Sequence, residues 1–306
     1  MMNVTEVAKG LRFPEGPIAM PDGTVILVEI ERGALSRVHP DGRIETIAIV
    51  GDGPNGAAMG PDGWIYICNN GGFAWHDLPN GALMPGNQSD DYKGGRIEKV
   101  NPDTGEVKVL YAECGGEKLK GPNDLVFDRD GGFYFTDLGK RRQWDMDLSS
   151  VYYAKADGSS ISRLVHGVIT ANGCGLSADE KTLYFAETTT ARLWAIDLDA
   201  PGVPKKQPDG QRQRLVYGLP GYQLLDSMAL DEAGNVCVGT LINGGITSFA
   251  PDGSGVEFFP FDDILATNIC FGGEGLRTAY VTLSTTGRLV KCEWPRAGQP
   301  LNFLNK

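Results

Sequence analysis

The sequence has no run of about 18 apolar residues, so it contains no candidate for a membrane-spanning helix. Its first residues include neither the basic nor the apolar segment of a secretory signal peptide. Basic residues are outnumbered, with 28 Lys+Arg against 39 Asp+Glu and a formal net charge of −11. The chain has no basic stripe that could neutralise phosphates. We therefore expect neither a membrane nor a nucleic acid as a partner.

Residues that carry nucleophilic and redox chemistry are also scarce. The only histidines are His39, His76 and His166, and no Gly-x-Ser-x-Gly motif occurs, so a serine nucleophile activated by histidine is not indicated. The six cysteines lie far apart without a Cys-x-x-Cys pair, and most of them fall inside apolar segments. Buried free thiols are typical of reducing compartments, so this pattern predicts a cytoplasmic protein.

Glycine, in contrast, is abundant, with 42 of 306 residues. This is about twice its usual share and indicates many tight turns. A short apolar segment ends in a turn at residues 21–23, 61–63, 129–131, 178–180, 232–234 and 273–275. A second element, roughly Gly-x-apolar-x-polar-apolar, alternates with these turns at residues 33–38, 95–100, 150–153, 191–194, 245–249 and 287–290. Six repeats of strand-rich sequence are typical of a β-propeller.

We therefore predict an all-β fold, a six-bladed β-propeller with four-stranded antiparallel blades, as a single domain over residues 1–306. The last repeat supplies three strands, at residues 269–271, 278–281 and 289–292. The strand-like residues 4–8 are expected to complete this blade, because an unpaired blade edge would otherwise be exposed. A pair of β-sandwiches or a β-solenoid is the alternative fold.

A polar residue recurs at one register of the repeats. It lies seven positions before the first turn in five units and just ahead of the strand in the sixth. The set comprises Glu15, Asn55, Asn123, Asn172, Asp226 and Asn268. The innermost strands of a propeller line its channel, so these side chains should converge on the axis. Two carboxylates and four amides predict a divalent cation with oxygen ligands, Ca²⁺ ahead of Mg²⁺ or Mn²⁺. Alternatively, these residues only begin strands and cap turns.

The motifs around these residues resemble the gluconolactonase/senescence-marker/luciferin-regenerating family over nearly the whole chain. They are Phe-Pro-Glu-Gly-Pro at 13–17, Gly-Pro-Asn-Asp-Leu at 121–125, Ala-Asn-Gly at 171–173, Asp-Ser-Met-Ala at 226–229 and Thr-Asn-Ile-Cys-Phe-Gly-Gly at 267–273. The resemblance implies a six-bladed propeller with one catalytic divalent cation held by Glu15, Asn172 and Asp226. Ca²⁺ is favoured, with Mg²⁺, Mn²⁺, Zn²⁺ and Fe²⁺ as alternatives. Asn123 matches a position that binds the cation or contacts the substrate, depending on the member.

The resemblance also implies a reaction, the hydrolysis of a small lactone of the sugar type or a related acid lactone by metal-activated water. Asp226 is expected to be the general base, with nucleophile or plain ligand as its alternative roles, and Asn123 to orient the substrate or water. Asn55 and Asn268 would complete the polar floor of the substrate site or support its ligands. The alternatives are a phosphotriesterase of the diisopropyl-fluorophosphatase kind and a non-catalytic binding propeller with a structural ion.

Two long connections, residues 70–93 and 138–148, are expected to rim the pocket and to select a small-molecule substrate. Trp75 lies in the first, Arg142 in the second, and Tyr222 in the loop before Asp226. Arg142 would meet a carboxylate on the substrate, or would be a solvated surface residue. Some sugar-lactone members of the family carry an arginine where this chain has Gly121, so that contact is absent or supplied by another group. We expect a monomer or a weak homo-oligomer.

Overall fold

The apolar segments of the sequence are β-strands in the computed structural model, which describes residues 2–306. Helical structure within these residues is confined to two 3₁₀ turns, Pro79–Gly81 and Glu274–Leu276. No helix in this part of the chain is long and apolar enough to cross a membrane. All six cysteines are free, five of them buried and Cys114 half-buried, as expected for apolar strands without disulfides.

The strands form six antiparallel blades, each beginning with its innermost strand. After β1 (Thr5–Lys9), blade 1 contains β2 (Pro14–Ala19), β3 (Val25–Glu29), β4 (Ala34–Val38) and β5 (Ile44–Ile49). Blade 2 contains β6 (Pro54–Met59), β7 (Ile65–Asn69), β10 (Arg96–Val100) and β11 (Val107–Tyr111), with the hairpin β8 (Phe73–Asp77) and β9 (Leu83–Gln88) between its second and third strands. A small hairpin, β12 (Glu113–Cys114) and β13 (Glu117–Lys118), leads to blade 3.

Blade 3 contains β14 (Pro122–Phe127), β15 (Gly132–Asp137), β16 (Ser149–Lys155) and β17 (Ile161–Val168). Blade 4 contains β18 (Ala171–Leu176), β19 (Thr182–Glu187), β20 (Arg192–Ala200) and β22 (Arg214–Gly218), and the short β21 (Val203–Pro204) pairs with the end of β20. Blade 5 contains β23 (Leu224–Leu230), β24 (Val236–Leu241), β25 (Gly245–Phe249) and β26 (Val256–Pro260). Blade 6 contains β27 (Ala266–Gly272), β28 (Thr278–Leu283) and β29 (Arg288–Glu293).

The N-terminal strand closes the ring, as predicted. Strand β1 pairs antiparallel with β29, from Thr5 opposite Lys291 to Lys9 opposite Arg288, and becomes the fourth strand of blade 6. Ala8 of this strand is 5% exposed and packs in the apolar cluster between blades 6 and 1. The first and last parts of the chain therefore share one blade, which closes the sheet edge that blade 6 would otherwise expose.

We expect an Ala8→Asp substitution to lower the free energy of unfolding by roughly 2–4 kcal/mol, because it places an unpaired charge in the closing seam. Thr5→Asp is the matched control, since Thr5 is exposed on the same strand. Thermal or urea unfolding of both variants measures the difference. Equal stability of the two variants would show that β1 does not close the ring in solution.

The core lies between the blades. The second strands β3, β7, β15 and β24 are buried along their whole length, because each is covered by the blades on both sides. This explains why these strands read as continuous rather than alternating apolar runs. Six apolar clusters fill the six interfaces between adjacent blades. The outermost strands β11 and β26 are largely exposed, and β5 is mostly half-buried.

The residues that follow blade 6 close one end of the channel. Gln299 donates a hydrogen bond from Nε2 to the Leu176 carbonyl (2.9 Å), and Asn302 donates from Nδ2 to the Phe127 carbonyl (3.1 Å). With Leu301 they line a central cavity of about 100 Å³ behind the starts of the innermost strands. We call the opposite end of the channel, where the innermost strands begin, the mouth.

Candidate metal centre

The six predicted polar residues occupy one level of the channel. Each innermost strand contacts the innermost strands of both neighbouring blades, so the six strands form a closed ring around the axis. The polar residue is second in strands β2, β6, β14 and β18 and third in β23 and β27. Five of the six side chains are buried, and Asp226 is half-buried. We call this set, which comprises Glu15, Asn55, Asn123, Asn172, Asp226 and Asn268, the ring residues.

Glycine after a ring residue lets the innermost strands approach closely. A Cβ atom at Gly16, Gly56 or Gly173 would lie 2.6, 2.5 or 2.6 Å from a backbone atom of the next innermost strand. Real Cβ atoms do not approach the backbone so closely, so these three positions require glycine. The recurring Glu-Gly and Asn-Gly pairs of the sequence are thus a consequence of the tight packing around the axis.

Two amide oxygens at this level have no protein partner. Among residues 2–306, the buried side-chain atoms without a hydrogen-bond partner include Oδ1 of Asn123 and Oδ1 of Asn172. The Nδ2 of Asn172 donates to Thr188 Oγ1 at 3.0 Å, and this bond orients the amide. A buried acceptor without a donor is costly unless a ligand satisfies it. Both oxygens are therefore available to a cation.

The environment of the two ring carboxyl groups disfavours their ionised form. Glu15 Oε2 accepts hydrogen bonds from Asn268 Nδ2 (2.7 Å) and the Gly16 N–H (2.8 Å), yet burial still raises the pKa of Glu15 to about 7. Burial also raises the pKa of Asp226 well above its usual value, and the negative charges of Glu15 and Asp124 add to this effect. Ionised carboxylates so placed require a compensating positive charge.

The third carboxylate, Asp124, was not among the predicted site residues. It follows ring residue Asn123 at the position where three other blades have glycine, and its side chain is 7% exposed. Burial, followed by the charge of Glu15, raises the pKa of Asp124 to about 7. The signal was present in the sequence, because a carboxylate replaces a glycine that the repeat otherwise favours. Its significance appears only when the position is known to face a crowded interior.

The donor set fits a divalent cation that prefers oxygen. The two ring carboxyl groups, both with raised pKa values, and two unpartnered amide oxygens belong to one level of the channel, and the buried carboxyl group of Asp124 follows directly after Asn123. Hard cations such as Ca²⁺ take carboxylate and carbonyl oxygens, and their charge would favour the ionised form of each carboxyl group. The residues present therefore match the cation that the sequence predicts.

The hairpin β8–β9 (residues 73–88), here called the mouth hairpin, extends from blade 2 across the mouth. The Trp75 ring lies 5.1 Å from the Phe13 ring of blade 1, measured between centroids. The Leu83 N–H donates to the Thr285 carbonyl of blade 6 at 3.0 Å. Half-buried Leu224, two residues before Asp226, packs in the same apolar cluster. The predicted residue Trp75 therefore lies at the mouth, near the start of the Glu15 strand.

A comparison with models of protein families shows which family the chain belongs to. The model of the SMP-30/Gluconolactonase/LRE-like region matches residues 13–285, which include all six ring residues. The chain belongs to this family. The resemblance predicted from the five sequence motifs is thereby confirmed, and the propeller observed in the structure is the fold that it implied.

Named relatives of this SMP-30/gluconolactonase-like protein agree with that assignment. A gluconolactonase of Zymomonas mobilis is 28% identical over an alignment 307 positions long, which covers 91% of this chain and 78% of the relative. The lactonase drp35 of Staphylococcus epidermidis is 29% identical over 287 residues, or 93% of this chain and 78% of the relative. The structure of regucalcin from Agrobacterium tumefaciens, described as a calcium-binding protein, superimposes with a TM-score of 0.75 at 19% identity, covering 100% of this chain and 98% of that chain.

In this family member, a buried lysine connects the two long mouth connections. Lys140 is 2% exposed, and its Nζ donates to the Gly72 carbonyl (2.7 Å) and to Asn70 Oδ1 (3.2 Å) at the base of the mouth hairpin. Its Nζ also lies 4.4 Å from the Phe73 ring centroid. Burial lowers the pKa of Lys140 to about 7. A Cβ atom at Gly121 would lie 2.5 Å from the Gly139 carbonyl oxygen and 3.4 Å from Lys140 Cδ, so this position has no room for a larger side chain.

We expect Lys140→Met to loosen the mouth hairpin, because two buried acceptors lose their donor at a cost of roughly 1–3 kcal/mol. Limited proteolysis should show faster cleavage within residues 73–88, and Lys140→Arg should restore most of the protection. Lys181→Met, an exposed lysine on blade 4, is the control. Unchanged cleavage in Lys140→Met would show that other contacts hold the hairpin.

Arg142 and Tyr222 are the other two residues predicted to select the substrate. The Arg142 guanidinium is held within its own connection, with Nε 2.6 Å from Asp145 Oδ1 and Nη1 3.0 Å from Asp147 Oδ2. Tyr222 is 77% exposed, between β22 and β23 at the mouth end. Arg142 as a substrate ligand stays a prediction, and it requires that these two ion pairs open.

Proposed function

We propose that this protein is a divalent-cation-dependent hydrolase that opens the ring ester of a small lactone. The observation that carries the proposal is the pair of unpartnered oxygens, Asn123 Oδ1 and Asn172 Oδ1, at the level of the buried carboxylates. The buried carboxyl groups of Glu15 and Asp226 are costly to ionise without a compensating positive charge, which favours a bound cation over a bare scaffold. The lactonase names of the Zymomonas and Staphylococcus relatives support a lactone as substrate.

Glu15, Asn123, Asn172 and Asp226 would hold the cation. We propose Ca²⁺, because every donor is a carboxylate or amide oxygen, and the calcium-binding description of the Agrobacterium neighbour supports this choice. When bound, the cation supplies positive charge that polarises the ester carbonyl and stabilises the developing oxyanion. Asn268 acts on Glu15 rather than on substrate, because its Nδ2 donates to Oε2 of Glu15 and its Oδ1 accepts from the Ile269 N–H (2.8 Å).

Asp226 is the proposed general base. Among the two ring carboxylates it is the more exposed, and it lies on the strand whose mouth end carries Leu224. Its carboxylate takes a proton from the attacking water as the water oxygen bonds to the carbonyl carbon. The ring C–O bond then breaks, and the same carboxyl group returns the proton to the departing alkoxide, which leaves a hydroxy acid. The amide of Asn123 orients the ester for this attack.

Acid release from a panel of γ- and δ-lactones, with and without a chelator, tests the proposal. We expect hydrolysis with added Ca²⁺, loss of activity in chelator, and recovery when Ca²⁺ is restored. An aryl phosphotriester and an open-chain ester are included as competing substrates. Chelator-resistant hydrolysis would overturn the cation dependence, and hydrolysis of the phosphotriester alone would overturn the assignment to lactones.

A further inference from the structure

The side chains two positions before the ring residues form the next level toward the mouth. Each of these positions begins or directly precedes an innermost strand, so they lie next to the ring residues on the side of the mouth. They are Phe13, Gly53, Gly121, Thr170, Leu224 and Ala266. One of the six has a polar side chain, and the Thr170 Oγ1 is engaged with Thr189 Oγ1 and the Thr189 N–H, both at 2.9 Å. The side chains at these six positions, here called the entry level, therefore offer few groups for binding hydroxyls, and the buried donors without a partner at this end of the described channel are Asn70 Nδ2, beside Gly53, and Thr285 Oγ1.

Phe13 is a large aromatic residue held in a backbone conformation that normally suits glycine. Its φ of 58° lies in the left-handed region, which disfavours a bulky side chain and suits glycine. The ring is nevertheless retained there and packs at 5.1 Å against Trp75, with an interplanar angle of 57°. Strained residues of this kind concentrate at binding sites, where the surrounding packing maintains them.

The surface around the entry level is also apolar. Phe73, Trp75 and Met84 of the mouth hairpin are half-buried and pack in one cluster with Phe13 and Leu224. Farther out, the connections at the mouth end carry exposed apolar side chains, namely Trp144, Met146, Leu148, Ile169, Tyr222, Ile242 and Ile264. Trp144 is the most exposed of them, at 89%.

Given the lactone hydrolase proposed above, we infer that its substrate is a lactone with an alkyl or aryl substituent rather than a polyhydroxylated sugar lactone. The ring residues receive the ester group, and the substituent lies against the half-buried Trp75, Met84 and Leu224, which the buried Phe13 ring supports. Each methylene buried there raises affinity by roughly fourfold. Asn70 Nδ2 and Thr285 Oγ1 could satisfy at most a few hydroxyls, and the other hydroxyls of a sugar lactone would leave water to lie against apolar side chains.

Three δ-lactones of the same ring size test this inference: unsubstituted δ-valerolactone, a δ-lactone with a pentyl chain, and glucono-δ-lactone. Each kcat/KM, measured with Ca²⁺, is divided by the hydroxide-catalysed rate constant of the same lactone, which removes differences in intrinsic reactivity. We expect the pentyl lactone to exceed δ-valerolactone by at least tenfold and glucono-δ-lactone by more. A normalised value for glucono-δ-lactone equal to or above that of the pentyl lactone overturns the inference but leaves the proposed function standing.

Substitutions at the entry level and on the mouth hairpin test which residues cause the preference for the pentyl lactone. Leu224→Asn, which adds an amide at the entry level, should reduce the preference for the pentyl lactone at least tenfold, mainly through KM. Leu215→Asn on outer strand β22, where Leu215 is 51% exposed, is the matched control and should leave the preference unchanged. If Leu224→Asn fails to fold, Trp75→Ala on the mouth hairpin replaces it. An unchanged preference in the folded variant contradicts the assignment, and a panel in which no lactone is hydrolysed overturns the proposed function itself.

Discussion

Asp226→Asn should lower kcat/KM for lactone hydrolysis by roughly 10²–10⁴-fold, the usual contribution of a general base. The amide has the same size as the carboxylate and still offers one oxygen to the cation, but it cannot take a proton from water. Initial rates at saturating Ca²⁺ measure the loss. Asp252→Asn, an exposed aspartate in the turn between β25 and β26 of the same blade, is the matched control and should retain full activity.

Calcium titration separates the two roles that Asp226 can have. If Asp226 is only a ligand, excess Ca²⁺ should restore the activity of Asp226→Asn, because binding alone was weakened. If it is the base, activity should stay low at Ca²⁺ concentrations that saturate the site, as monitored by calorimetry. Full recovery at high Ca²⁺ would therefore contradict the proposed base, and activity within twofold of the parent at all concentrations would contradict both roles.

Removal of the divalent cation should destabilise the protein much more at pH 8 than at pH 6. In the cation-free fold, burial raises the pKa of Glu15 and of Asp124 to about 7, from ordinary values of 4.5 and 3.8. A folded pKa above the unfolded one means that the stabilisation from the protonated carboxyl is complete below about pH 4 and is lost as the pH rises through 7. Between pH 6 and pH 8 each group contributes roughly 1.4 kcal/mol to this difference, because its stability effect changes little once the pH is a unit above the folded pKa.

Thermal unfolding with chelator should therefore show a Tm lower at pH 8 than at pH 6 by roughly 3–6 °C. With saturating Ca²⁺ the difference should be small, because the cation favours the ionised carboxylates at both pH values. Glu15→Gln should remove part of the pH dependence in chelator, whereas Glu274→Gln, exposed on blade 6, should not. A chelated protein that is as stable at pH 8 as at pH 6 would show that these carboxylates do not lie around an empty cation site.

The repeat made the fold and the level of the ring predictable from the sequence. Turn spacing placed Glu15 and Asp226 at equivalent positions of different repeats, and the structure puts both on innermost strands of one closed ring. The pairing of β1 with β29 was predictable for a similar reason, because the last repeat lacked one strand and the first residues supplied it. Local periodicity is sufficient where each blade repeats the same local pattern.

Other features of the site depend on contacts between distant parts of the chain. Asp124 is one residue from Asn123, yet its importance depends on the crowding that requires glycine at the same position in other blades. Arg142 was predicted as a candidate substrate ligand, whereas the structure pairs its guanidinium with Asp145 and Asp147. Lys140 belongs to a basic run that suggests an exposed loop, but its ammonium group is buried under the mouth hairpin.

The amino-acid sequence by itself determined the all-β propeller, the number of blades, the closing strand and the six ring residues, because a repeated hydrophobic pattern and its turns act over a few residues. Only the tertiary structure decided which amide oxygens remain unpartnered, where Asp124 and Lys140 are buried, and which apolar side chains form the entry level. These properties depend on burial and on partners from other blades, and the free energy of a buried polar group is set by those surroundings.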